Sequence, residues 1–164
     1  MKRFLCLLLC FLFLPLIGCQ EEETPLQNPV TVYYRRAEIT SETSDSVIAP
    51  LHMEGAGYEN DPTALLNFYL RGPIDPEFVN PFPFRTEVLE IKIENNVADL
   101  LMNPSMSKLS GIDLSVACAC LTKTVMALHG VQSVTIRVRG GTLDGADAIT
   151  MDSDVLHLLD ELQP

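Results

Sequence analysis

Three histidines, a pair of mid-chain cysteines and a late run of aspartates are the side chains of this 164-residue chain that could do chemistry. His52, His129 and His157 stand far apart, and none has a second ligand at a zinc-site spacing. His129 falls in the last turn of a helical segment, where the negative end of the helix dipole favours a cation. Cys118 and Cys120 flank Ala119 in that segment. Side chains two apart on a helix diverge by about 200°, so a disulfide between them would break the helix. Both read as small buried apolar residues. Asp144, Asp147, Asp152 and Asp154 could attract Ca²⁺ weakly, but they lack the spacing of an EF-hand loop and read as solvated. No G-x-S-x-G, H-E-x-x-H or phosphate loop is present. The expectation is no catalytic residue, no metal site and no cofactor: a chain that holds or binds.

The elements that must position any binding surface are organised around Gly111 to Arg139. Leu114, Ala117, Cys118, Leu121, Val125 and Leu128 recur at the spacing of one helix face. Gly111 and Asp113 mark its start, and Gly130 its left-handed cap. Val134, Ile136 and Val138 then alternate with Ser133, Thr135, Arg137 and Arg139, the pattern of a strand with a basic outer face. Upstream, Val30 to Arg35 and Ser46 to Met53 read as strands, the second an edge strand because of Pro50. Asn60-Asp61-Pro62 caps a helix that Gly72-Pro73 closes, with Asn67 and Arg71 looking outward. Glu87 to Ile93 puts Leu89, Ile91 and Ile93 on one face. Asn95-Asn96 turns it into a hairpin with Val97 to Met102. Ala148 to Met151 could add an edge strand, and Val155 to Leu162 a helical turn.

Between the first helix and the hairpin lies a proline-rich loop, Gly72 to Phe84, with Pro73, Pro76, Pro81 and Pro83. Such a loop is too rigid for a linker and, if ordered, is often functional. Phe78, Phe82 and Phe84 could form an exposed binding ridge, or their rings could close the bottom of the core.

The N-terminus bears on location. Met1-Lys2-Arg3 precedes an apolar run of about 14 residues, Phe4 to Ile17, too short to span a bilayer but suited to a secretory signal. Leu16-Ile17-Gly18-Cys19 resembles the lipobox of bacterial lipoproteins, in which the cysteine thiol receives diacylglycerol and the chain is cut before it. Cys19 is thus the expected lipidation site, and its acyl chains, palmitate among them, the expected membrane anchor. Gln20 to Pro29, with Glu21-Glu22-Glu23, reads as a solvated tether. The formal net charge is −11; loss of Lys2 and Arg3 with the signal leaves 9 bases against 22 acids, or −13. That balance disfavours nucleic acid as a partner.

The order of these pieces resembles the GerM domain of sporulation and spore-germination lipoproteins. The resemblance rests on Val30-Thr31-Val32-Tyr33-Tyr34, Ala64-Leu65-Leu66 running to Arg71-Gly72-Pro73, Pro81-Phe82-Pro83 with Thr86, and the Val131 to Val138 strand. It implies a single α+β domain with a mixed β-sheet and two helices packed on it, order β-β-α-β-β-α-β, similar to the ring-building motif. The expected boundaries are 1–18 signal peptide, 19–29 tether, 30–152 GerM-like domain and 153–164 acidic tail. The implied role is a non-catalytic assembly module on the outer face of the cytoplasmic membrane, or in the periplasm or outer membrane of a two-membrane host. Its partners would be envelope or sporulation-complex proteins, with homo-oligomers left open. The alternatives are a small-ligand or cell-wall glycan-binding lipoprotein and, third, a hydrolase built from dispersed acids.

Overall fold

The structure, a computed structural model, describes residues 26, 28–38 and 47–161, with side chains as far as His157 in the last helix. Cys19, the signal segment and most of the tether lie outside the described residues.

Alternating Val32 and Tyr34 point inward from β1 (Pro29–Arg36), which pairs antiparallel with β2 (Ile48–Glu54) on one side. Pro50 sits opposite Tyr33 on this outer strand, where its missing N–H costs no ladder bond. Helix α1 (Pro62–Tyr69) begins as its sequence dictates: Asp61 accepts from the Ala64 N–H at 2.9 Å and Pro62 occupies the first turn. The proline-rich loop then adds a two-residue strand, β3 (Phe78–Val79), to the far side of β1, giving a three-stranded sheet ordered β2-β1-β3.

A second, mixed sheet follows. β4 (Val88–Glu94) and β5 (Val97–Met102) form the hairpin, with Asn95 and Asn96 at φ 51° and 64°, the positive values a two-residue turn demands. After a 3₁₀ turn (Pro104–Lys108), helix α2 (Gly111–His129) carries the chain back so that β6 (Ser133–Val138) lies parallel to β5. β7 (Ala148–Asp152) closes the sheet antiparallel to β6, and α3 (Ser153–Glu161) follows directly.

Helix α2 packs against β1 and β2 of one sheet and β6 and β7 of the other. It therefore lies between two sheets, and every residue from Ala117 to Thr122 is buried. By length and composition this helix could cross a membrane; here it is the core helix. Gly130, at φ 64°, ends it by donating to Met126 O at 2.8 Å.

The architecture is the expected α+β arrangement with refinements that each have a local cause. The strands divide between two sheets because α2 is apolar all round, so a single sheet could cover only half of it. A β-bulge between Val88 and Glu90 reverses the expected face of Val88. Val88 is buried with Ile91 on the inner side, and Leu89 is the extra residue. The outer face of the mixed sheet is polar rather than basic, since Arg137 makes a bidentate pair with Asp99 at 2.7 and 3.0 Å. The helical turn expected after Asp152 is present as α3, and its Leu156 enters the core.

Candidate functional site

Two of the acids singled out in the sequence, and His52, have a local structural setting. Asp144 accepts from the Gly111 N–H at 3.1 Å, and Asp152 caps α3 by accepting from Val155 at 2.9 Å. His52 meets Thr31 on the surface, and His157 is exposed. His129 departs from expectation: burial lowers its pKa, and its Nε2 is enclosed without a hydrogen-bond partner among the described residues. Desolvation there outweighs the helix dipole and disfavours the charged ring. Cys118 and Cys120 are free, buried thiols whose pKa burial pushes up to about 12. Among the described residues no group of three or more His, Cys, Asp or Glu side chains is placed to hold a metal ion.

The three phenylalanines of the proline-rich loop go to three different environments. Phe82 is 6% exposed and meets Tyr69 edge-on, with ring centroids 5.4 Å apart. Phe78 is partly buried in β3, packed against the core. Phe84 is 83% exposed. There is no three-ring ridge; two rings anchor the loop and the third is presented by it.

The anchoring is specific. Tyr69 stacks obliquely on Tyr34 at 4.8 Å and its Oη donates to Tyr33 O at 2.8 Å. Thr124 of α2 accepts from the Tyr33 N–H at 2.9 Å. Together these two side chains satisfy a backbone position on the edge of β1 that β3 is too short to reach. Asn67, expected to face solvent, instead bonds both backbone groups of Val88, at 2.8 and 3.0 Å, and so imitates a neighbouring strand at the edge of β4. Asn80 donates to Leu70 O and accepts from the Phe82 N–H. A Cβ on Gly72, which sits at φ 105°, would lie 2.8 Å from Asn80 Nδ2, so the loop closes on glycine there.

On this base stands the turn Pro83-Phe84-Arg85-Thr86. Thr86 donates to Pro83 O through its N–H at 3.1 Å and its hydroxyl at 2.7 Å. Arg85 is at φ 64°, held by Asn103 Nδ2 donating to Arg85 O at 2.6 Å. The other described non-glycine residues at positive φ are Asn or Asp. These types tolerate that conformation; an arginine there costs about 1–3 kcal/mol. The Arg85 guanidinium lies 5.3 Å from the Phe84 ring centroid. Beside the turn is a cleft of about 330 Å³ whose walls include Asn67, Arg71, Asn80, Phe84, Arg85 and Glu87. A larger, shallower depression of about 540 Å³ lies elsewhere, over Met126 and Leu156.

The turn is remote from the point where the chain enters β1. Asn28 shares a depression with Leu128 and His129 at the C-terminal end of α2. Arg85 is bonded to Asn103, just before the 3₁₀ turn that leads into the N-terminus of α2. Helix α2, 19 residues long, itself spans about 28 Å.

A sequence profile of the Germane family, described as sporulation and spore germination, matches residues 31–144. The chain belongs to the Germane family. The match covers both sheets apart from Pro29 and Val30 of β1 and the whole of β7, and it includes the presented turn. Among solved structures, the tandem GerMN domains of the sporulation protein GerM from Bacillus subtilis share this fold at a TM-score of 0.56 and 21% identity. That alignment covers 76% of this chain, which spans 45% of the length of the tandem structure. A Clostridium perfringens protein described as a candidate lipoprotein aligns over 77% of this chain and 87% of its own at 14% identity and a TM-score of 0.49. No curated protein sequence matches.

Proposed function

We propose that this Germane domain is a lipid-tethered docking module that acts outside the cytoplasmic membrane and holds an envelope protein through the Phe84 turn. The observation that carries it is the rigid presentation of Phe84. A loop anchored by two buried rings and four side-chain amide or hydroxyl groups leaves its third ring in water, forgoing roughly 1.5–3 kcal/mol of burial. Ring burial against a partner would recover that energy. The lipobox at Leu16 to Cys19 and the acidic segment after it support anchorage by lipid, with the domain kept off an anionic surface by its own charge.

Affinity capture of solubilised envelope proteins on the full chain, compared with Phe84→Ala, tests this. The expected outcome is a defined protein partner retained by the parent and reduced at least tenfold by the substitution, with the thermal midpoint unchanged. Retention of glycan alone, or of the same protein equally by both chains, contradicts it.

A further inference from the structure

We propose that the partner's contacting segment is an acidic peptide, with carboxylates seated between Arg71 and Arg85 and an apolar side chain laid on Phe84. This rests on the docking function above and specifies its chemistry.

Charge is the first ground. The chain as a whole carries −11, so a patch of uncompensated positive charge stands against its surroundings. Two other surface bases are paired, Lys92 3.0 Å from Glu90 and Arg137 with Asp99 at 2.7 Å. Arg71 and Arg85 line one cleft with a single acid, Glu87, and among the described residues neither arginine has a carboxylate within ion-pair distance. Each guanidinium instead lies near an aromatic ring, Arg71 at 5.9 Å from Phe68 and Arg85 at 5.3 Å from Phe84. Such packing restrains the guanidinium groups while leaving N–H donors unused, so less order is lost when a carboxylate binds.

Backbone geometry is the second ground. A glycine or asparagine at residue 85 would make the same turn without strain, yet the position holds the longest cationic side chain at φ 64°. Strain maintained at an exposed turn is explained when the side chain itself is what the turn delivers.

Location is the third. The pole bearing Phe84 is the one away from Asn28, where the tether joins the domain. Lipid headgroups are the other anionic surface at hand. The net charge also repels an anionic bilayer. A second copy of this chain could offer acids as well, but the like charge of two such chains opposes their approach.

Selection from a displayed random-peptide library on the full chain in detergent micelles tests the proposal, with Arg71→Glu/Arg85→Glu and Phe84→Ala chains alongside. Selected peptides should carry two or more Asp or Glu next to a large apolar residue. Their affinity should fall at least tenfold in the charge-reversed chain and at least fivefold between 50 and 500 mM salt, on the order expected for two ion pairs. Both arginines are on the surface, so circular dichroism should report the same fold for every chain. Neutral or basic selected peptides that still depend on Phe84 would overturn the acidic-peptide proposal and leave the docking function standing. Acidic peptides indifferent to the charge reversal would overturn it too. Failure to select any peptide, with binding only to anionic vesicles, glycan fragments or a second copy of the chain, would overturn both.

Discussion

Two turns, one toward each end of the core helix, both place a non-glycine residue at positive φ, with opposite economies. At the pole where β1 begins, the β4–β5 hairpin uses Asn95 and Asn96 at positive φ, the residue type suited to it, and its flanking apolar residues Ile93 and Val97 are only 43% and 38% exposed. At the other pole the positive-φ position is an arginine and the neighbouring Phe84 is 83% exposed. Ile112, at the helix N-terminus on that side, is 82% exposed. One turn agrees with its local chemistry and the other defies it while being more heavily buttressed. Local rules broken at a rigidly supported place mark function; broken at a loose place they would mark only tolerance.

Substitutions that remove the buttress should separate the poles most sharply. Tyr69→Ala deletes the ring between Tyr34 and Phe82 and leaves Tyr33 O unpaired, and should cost about 3–5 kcal/mol in chemical denaturation. An intact fold with unchanged stability would show that the far pole is not built as described. Asn67→Ala should cost about 1–3 kcal/mol, because both backbone groups of Val88 lose their partner at a part-buried strand edge. Hydrogen exchange should rise at Val88 and stay unchanged at the Asn95-Asn96 turn.

A smaller effect carries more information. Arg85→Gly relieves the left-handed strain and should stabilise the domain by up to about 1 kcal/mol while weakening partner capture. The corresponding Asn96→Gly change should leave both nearly unaltered. If Arg85→Gly destabilised the domain, the strain would not be there.

The least effect expected is a pH dependence at the entry pole. Burial lowers the pKa of His129 in the folded chain, so near its ordinary value of 6.5 the unfolded chain binds the proton more readily. This share of stability is complete above pH 6.5 and is lost as pH falls below it toward the folded pKa. His129→Gln should flatten that slope between pH 7.5 and 5.5 in thermal melts and leave partner capture alone.

Much of this was readable from spacing. The period of α2, the alternation of β6, the Asp61-Pro62 start of α1 and the paired asparagines of the hairpin are local signals, and the structure follows each of them. What was not readable depended on distant neighbours. Nothing near Asn67 in the chain says that it will serve as a strand partner for Val88, 21 residues on. The bulge at Leu89 shifts the strand phase by one residue without a glycine to announce it. His129 was read from the helix it ends and not from the β1–α1 region that buries it. The three phenylalanines are alike in sequence setting, and only the reach of Tyr69 and the pairing of β3 decide that Phe82 and Phe78 turn inward. Arginine in a left-handed turn has no sequence signature at all, and so Arg85, which we propose as part of the docking surface, was absent from the expected ridge.

Photo-crosslinking from the two poles of the full chain in its own cells tests the central claim most directly, with benzoylphenylalanine placed at Phe84 or at Val97. The expected result is a discrete protein adduct from residue 84 and none from residue 97. An adduct from residue 97 alone, or the same adducts from both, would contradict a docking surface at the Phe84 turn.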